Sequence, residues 1–243
     1  MSSSFYNKNN NSGICDLKFV ESPSNNLLVH IRTEKKYHYS YISAAAIKLN
    51  DDIYEFGSHG QVMVNGVVLS GDMELPDTFG GHALSLIRSD QDTHTYRVDF
   101  GDGTGLEVKS YKEMVAVSLR GPHTKFADSV GLMGDPATGR KLGRDGKTVF
   151  STDHINDFGQ EWQVLPDEPM LFDVAREPQA PQRCMLPDKT WIRGHTLEMR
   201  QLGETVLSRE EAEEACANWT VNKEACIDDV MVTGDKDLAA AFF

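Results

Sequence analysis

Short stretches in which apolar and polar residues alternate occupy the chain from residue 15 to about residue 119. Segments 27–32, 61–69 and 95–100 show this pattern, which is typical of strands with one buried face. Inside the second of them, Asn65-Gly66 predicts a two-residue hairpin turn, because both residues tolerate a positive φ. Further strands are predicted at 44–49, 83–88, 106–109 and 114–119. Helical periodicity is missing here, so the pattern predicts a sandwich or barrel, and we take an antiparallel β-sandwich as the prediction.

The pattern changes after a turn-rich stretch that ends near Trp162. Four prolines between residues 165 and 183 predict an extended linker. Ser208, followed three residues later by Glu211, forms a capping box and predicts a helix to about residue 218. Further helices are predicted over 223–232 and from about Asp235. The predicted organisation is a disordered Asn/Ser-rich tail (1–12), a β-sandwich domain (13–165), a proline-rich linker (166–204) and a short helical, cysteine-bearing tail (205–243).

Charge and hydropathy exclude several classes of partner. The 243 residues carry a formal net charge of −13, which repels phosphate backbones and disfavours anionic membranes. No run of about 18 apolar residues is present, so no membrane insertion is predicted. Residues 1–13 lack the apolar core of a secretory signal, and the chain reads as a fragment of a longer protein or a mis-started one.

The motifs of common enzymes are absent from the sequence. It has no Gly-x-Ser-x-Gly, no His-Glu-x-x-His and no phosphate-binding loop, and its eight histidines are scattered. The sequence therefore predicts a protein without catalytic residues. A glycosylation sequon at Asn218 matters only if the protein enters the secretory route.

Four cysteines form no Cys-x-x-Cys pair, which excludes a zinc ribbon or a thioredoxin-type motif. They allow three disulfide pairings, among which their spacing does not choose, and buried free thiols are the alternative in a reducing compartment. The residues concerned are Cys15, Cys184, Cys216 and Cys226.

Three segments together resemble the von Willebrand factor type D family. The first is Cys15-Asp16-Leu17, which leads into the strand at 29–33. The second is Val130-Gly131-Leu132-Met133-Gly134, where that family has Gly-Leu-Cys-Gly-Asn. The third is Phe158-Gly159-Gln160-Glu161-Trp162, which is similar to the family's closing Phe-Gly-x-x-Trp. The resemblance covers about residues 13–164, and the tail resembles a truncated form of the cysteine-rich region that follows this domain.

The departures from the family pattern concern its cysteines and its opening. The Gly-Asp-Pro-His segment of the family is missing at the start, and Met133 stands where the family has the usual partner of Cys15. The resemblance then favours pairing Cys15 with Cys184, and Cys216 with Cys226.

The resemblance also implies a Ca²⁺ site in the loop after the second segment. The candidate ligands are Asp135, Asp145 and Asp157, since Ca²⁺ prefers hard oxygen ligands. Three cations in the same loop, Arg140, Lys141 and Arg144, act against a bound metal ion, and a salt-bridged surface loop is the alternative.

What the resemblance implies about function is a non-catalytic extracellular structural or adhesion module. Such a module acts by contact with other extracellular proteins, or with copies of its own parent chain, in a matrix or mucin-like assembly. Two alternatives are a domain of a secreted, luciferase-like enzyme built on the same fold and an intracellular protein that kept the fold without calcium.

Overall fold

The structure is a computed structural model that describes residues 3–4, 14–36, 39–69, 77–151, 155–174, 207–219 and 223–242. The chain divides into two compact units, Met1–Leu186 and Pro187–Phe243. Among the described residues, no helix is long and apolar enough to cross a bilayer.

The first unit is built from strands. They are β1 (Ser3–Ser4), β2 (Asp16–Ser22), β3 (Leu27–Lys36), β4 (Tyr39–Leu49), β5 (Asp52–Phe56), β6 (Val62–Val64), β7 (Val67–Val68), β8 (Asp77–Phe79), β9 (His82–Ser89), β10 (Thr93–Gly101), β11 (Thr104–Tyr111), β12 (Met114–Arg120), β13 (Lys141–Leu142) and β14 (Val149–Phe150). Strands β2 to β7 form one antiparallel sheet in chain order, here called the N-terminal sheet. The second sheet has the order β1-β12-β11-β10-β9-β8, and β13 pairs with β14 in a separate hairpin.

Both six-stranded sheets contribute to one hydrophobic core. Ile31 and Ile47 of the N-terminal sheet belong to the same buried cluster as Val98 and Val117 of the second sheet. Strand β4 packs near β12 across this core. The mainly β, antiparallel two-layered fold predicted from the alternation is confirmed.

Local turn chemistry sets the strand connections. Asn65 and Gly66 have φ values of 51° and 78°, so the predicted hairpin joins β6 to β7 as expected. One element was missed: α1 (Ile155–Glu161) is a helix, although its sequence contains Gly159. In the predicted disordered tail, Ser3–Ser4 pair with β12.

The described part of the second unit is helical. It contains α2 (Arg209–Ala215), α3 (Lys223–Thr233) and α4 (Asp237–Phe242). The predicted capping box is confirmed, because the Ser208 hydroxyl accepts from the Glu211 amide and the Glu211 carboxylate accepts from the Ser208 amide. Cys216, at the end of α2, is joined to Cys226 of α3 by a disulfide, as predicted.

Cys15 precedes β2 in the first unit and is fully buried and disulfide-bonded. Its predicted partner, Cys184, lies outside the described residues.

We expect proteolytic peptides that contain Cys216 and Cys226 to migrate as one linked species without reductant and to separate after reduction. Closing a loop of this length stabilises the helical unit by roughly 2–3 kcal/mol, because it restricts the unfolded chain. In a Cys216→Ser variant, Cys226 should become open to alkylation. Alkylation of both cysteines in unreduced wild-type protein would contradict the assignment.

Candidate functional site

The free side of β2 is occupied by two segments from distant parts of the chain. One is residues 130–134, here called the glycine turn. The other is residues 162–174, here called the closing segment. The glycine turn is the second motif segment singled out from the sequence, and the closing segment begins at Trp162, the last residue of the third.

The glycine turn follows the second half of β2. Val130 and Glu21 exchange two backbone hydrogen bonds, of 2.8 and 2.9 Å. The amide of Leu132 donates to the carbonyl of Lys18, and that of Met133 donates to the carbonyl of Phe19, each at 3.1 Å. The turn therefore continues the sheet beyond its edge strand.

The closing segment follows the first half of the same strand. The Lys18 amide donates to the Trp162 carbonyl at 2.7 Å, and the Val164 amide donates to the Asp16 carbonyl at 2.9 Å. A bridge pairs Leu17 with Gln163. The Lys18 amide thus donates to the closing segment, and the Lys18 carbonyl accepts from the glycine turn. The two segments therefore meet at Lys18.

Two glycines allow the close approach, as their sequence context predicts. Gly131 has a φ of +131°, and a Cβ atom there would lie 2.6 Å from the Phe19 carbonyl oxygen. Gly134 has a φ of +69°, and its Cβ would lie 2.5 Å from the Arg140 carbonyl oxygen. A side chain at either position would collide with backbone.

The aromatic residues of the closing motif are buried, as expected for large apolar side chains. Phe158 on α1 packs against Phe150 of β14, with ring centroids 5.5 Å apart. The Trp162 indole donates to the Leu142 carbonyl at 3.1 Å, which satisfies its polar atom in the interior. The motif thereby anchors the closing segment to the hairpin of β13 and β14.

Beneath the closing segment lies an outer face of the N-terminal sheet that carries buried charges. Arg32 on β3 forms two hydrogen bonds to the carboxylate of Asp16, its cross-strand neighbour, at 2.8 and 3.0 Å. The same guanidinium lies 4.2 Å from the centroid of the Phe172 ring and donates to the Val174 carbonyl. This pair therefore contacts the far end of the closing segment.

A second group of charges surrounds Glu168. Its carboxylate accepts from Lys18 Nζ at 2.7 Å and from Arg144 Nη1 at 2.7 Å, and Lys18 also pairs with Glu21 at 2.6 Å. Burial alone would raise the pKa of Glu168, but the hydrogen bonds from Arg144, Lys18 and the Leu165 amide lower it to about 2. Glu168 is therefore ionised at neutral pH and holds the closing segment by paired charges.

His30 is fully buried beside this group, opposite Lys18 in the strand register. Among the described residues, neither of its ring nitrogens has a hydrogen-bond partner. Burial lowers its pKa to about 4; Lys18 and Arg144 act in the same direction, and Glu168 and Asp16 oppose it. His30 is therefore neutral at physiological pH.

Two of the three predicted calcium ligands are held by hydrogen bonds within their own turns, and the third lies on a helix. Asp135 accepts from the Ala137 amide and the Thr138 hydroxyl, and these hydrogen bonds lower its pKa. Asp145 accepts from the amides of Lys147 and Thr148 and from the Thr148 hydroxyl, which lower its pKa likewise. Asp157 is exposed on α1. Within the described ranges, no three His, Cys, Asp or Glu side chains cluster as a metal site, and calcium binding stays a prediction.

Two open depressions lie on the surface of the first unit. One, of about 400 Å³, is bordered by Arg97, Asp99 and Arg120 of the second sheet. The other, of about 530 Å³, is bordered by Glu21 and Lys48 of the N-terminal sheet. Neither is lined by His30 or Glu168.

The sequence did not indicate the buried charges. Asp16, Lys18, His30 and Arg32 occupy the polar positions of alternating strands, which ordinarily face solvent. The one available signal is that both strands carry charges on the same face, with a carboxylate opposite an arginine.

No protein-family model matches this chain, and no curated protein matches it.

We expect Gly131→Ala to lower the free energy of unfolding by about 3 kcal/mol or more, because the new Cβ atom meets the Phe19 carbonyl at a positive φ. Gly139→Ala is the matched control, since Gly139 has a φ of +70° but open space around its Cβ position. It should cost about 1 kcal/mol. Urea unfolding measures the free energy of unfolding of both variants. Equal losses in the two would show that Gly131 does not lie close to the Phe19 carbonyl.

The pKa of His30 is lower in the folded than in the unfolded chain, so the unfolded state binds more protons between pH 6.5 and 4. Stability is therefore full above pH 6.5 and falls as the pH drops towards 4, by up to about 3 kcal/mol from this residue.

We expect His30→Leu to remove that part of the pH dependence and to be neutral or stabilising at pH 7, because an unpartnered buried polar ring is replaced. Unfolding curves at several pH values test this. His123→Leu, at an exposed position, should keep the wild-type slope. If the free energy of unfolding of His30→Leu depends on pH as steeply as that of wild type, His30 does not titrate in this way.

Proposed function

We propose that the chain is a non-catalytic extracellular structural or adhesion module of the von Willebrand factor type D kind. The observation that carries the proposal is the meeting of the glycine turn and the closing segment at Lys18. The two sequence features that resemble the family both lie in segments that hydrogen-bond to the free edge of β2. Each motif residue with a described contact has a packing role, and none is needed as a reacting group.

The placement of the buried charges supports a role without catalysis. Lys18, Glu168 and Arg144 are paired with one another, and Asp16 is paired with Arg32. Shifted pKa values mark many catalytic sites. Here burial lowers the pKa of His30, and hydrogen bonds from Arg144 and Lys18 lower the pKa of Glu168 against the effect of burial.

Two features support an extracellular location. Disulfides such as Cys216–Cys226 persist in oxidising compartments. Asn218 lies exposed in the turn after α2, as a glycosylated asparagine must. Glycosylation there stays a prediction.

Strand β7 is the surface that we propose for contact with copies of the parent chain. It is the last strand of the N-terminal sheet, and its Val67 and Val68 side chains are 65% and 69% exposed. An apolar edge strand offers backbone donors and acceptors together with apolar side chains, which favours pairing with another strand.

Sedimentation velocity over a range of concentrations tests this proposal. We expect the wild-type chain to self-associate, and the double variant Val67→Lys, Val68→Lys to associate at least about tenfold more weakly, because lysines on an edge strand oppose pairing.

Val149→Lys is the matched control. Val149 is 49% exposed, but it lies on the separate hairpin of β13 and β14, so this variant should associate like wild type. A wild-type chain that stays monomeric at high concentration, or a double variant that associates equally well, would argue against β7 as the contact surface.

A further inference from the structure

The guanidinium of Arg144 lies among oxygen atoms from both sides of Trp162. Its Nε donates to the Glu161 carbonyl at 2.6 Å, and its Nη2 donates to the Gln163 carbonyl at 2.7 Å. Its Nη1 donates to a carboxylate oxygen of Glu168 at 2.7 Å. The Arg144 amide also donates to the Glu161 carboxylate at 2.8 Å.

This set of oxygens resembles that of a cation site. Backbone carbonyls and a carboxylate are the groups that hold hard cations such as Ca²⁺ in proteins. Here they surround a cation that belongs to the chain. The guanidinium also lies 5.1 Å from the Trp162 ring centroid, so it stacks near the aromatic anchor of the closing segment.

The residues expected to hold calcium are used in another way. The carboxylates of Asp135 and Asp145 each accept from backbone amides and from a threonine hydroxyl of their own turn. Both oxygens of each carboxylate are thus already engaged within its own turn, in an orientation that the turn sets. Among the described residues, neither Asp135 nor Asp145 belongs to a cluster of three acidic, histidine or cysteine side chains, so the two do not form a ready calcium site in this arrangement.

We propose that Arg144 is a built-in cation that fastens the closing segment in place of a bound divalent metal. The guanidinium links the loop that begins at Gly134 to residues on both sides of Trp162 and to Glu168. The planar guanidinium can donate to three oxygen atoms at fixed positions. Because it is part of the chain, it is present at every calcium concentration. The proposal depends on the family resemblance only for the expectation of calcium, since the contacts themselves are independent of it.

Thermal unfolding of the full chain tests the proposal. We expect the Tm of wild type to be the same in EDTA and in millimolar Ca²⁺, because a ligand that does not bind the folded state cannot stabilise it. Arg144→Ala should lower the Tm by about 10 °C, since it leaves Glu168 and the carbonyls of Glu161 and Gln163 with fewer donors. Methylguanidinium on the order of 10 mM should recover part of that loss, whereas NaCl of equal strength should not.

Arg140→Ala is the matched control, because Arg140 lies exposed in the same loop, and its Tm should stay near that of wild type. If Arg144→Ala fails to fold, Arg144→Lys takes its place. Lysine keeps the positive charge but lacks the planar set of N–H donors of the guanidinium. The Tm of this variant should therefore lie below that of wild type and above that expected for Arg144→Ala. A calcium-dependent rise in the wild-type Tm would overturn the proposal, and so would an Arg144 variant as stable as the Arg140 variant. Neither result would bear on self-association through β7.

Discussion

The free edge of β2 is the constraint on which the rest of the first unit depends. An edge strand presents backbone amides and carbonyls that need partners, and leaving them buried without hydrogen bonds is costly. This chain supplies the partners from two segments more than a hundred residues away, which divide β2 at Lys18. Gly131 is needed because a Cβ atom would meet the strand, and Trp162 is needed because the second segment requires an anchor.

Closing the edge in this way also covers part of one face of the N-terminal sheet, so that Asp16, Lys18 and His30, at polar positions of the alternation, become buried. Charges brought into an interior must be paired, since an unpaired one costs several kcal/mol. Lys18 forms an ion pair with Glu168, and Asp16 forms one with Arg32. Arg144 is a second cation paired with Glu168. The ion pairs are therefore a consequence of the closure, and they set its orientation. His30 is the member of this face without a described hydrogen-bond partner.

Sequence reasoning succeeded where a few adjacent residues decide the structure. The Asn65-Gly66 hairpin and the Ser208 capping box follow from local backbone chemistry, and the alternating strands identify the fold class. The buried charges could not be predicted, because Lys18 and Glu168 are 150 positions apart and their contact depends on how the chain returns to β2. Helix α1 was missed for a related reason: Gly159 lowers helix propensity, and tertiary packing of Phe158 overrides it.

The same closure separates two interpretations of the shifted pKa values. In an enzyme, a neutral buried histidine beside a low-pKa carboxylate would line a cavity open to substrate. Here His30 is fully buried, Glu168 of the closing segment is ion-paired with Lys18, and the depressions described on the surface are bordered by other side chains. Burial and pairing account for both shifts, so no substrate is needed to explain them. Contact surfaces are then expected where backbone groups remain at an edge, and β7, with two exposed valines, has that property.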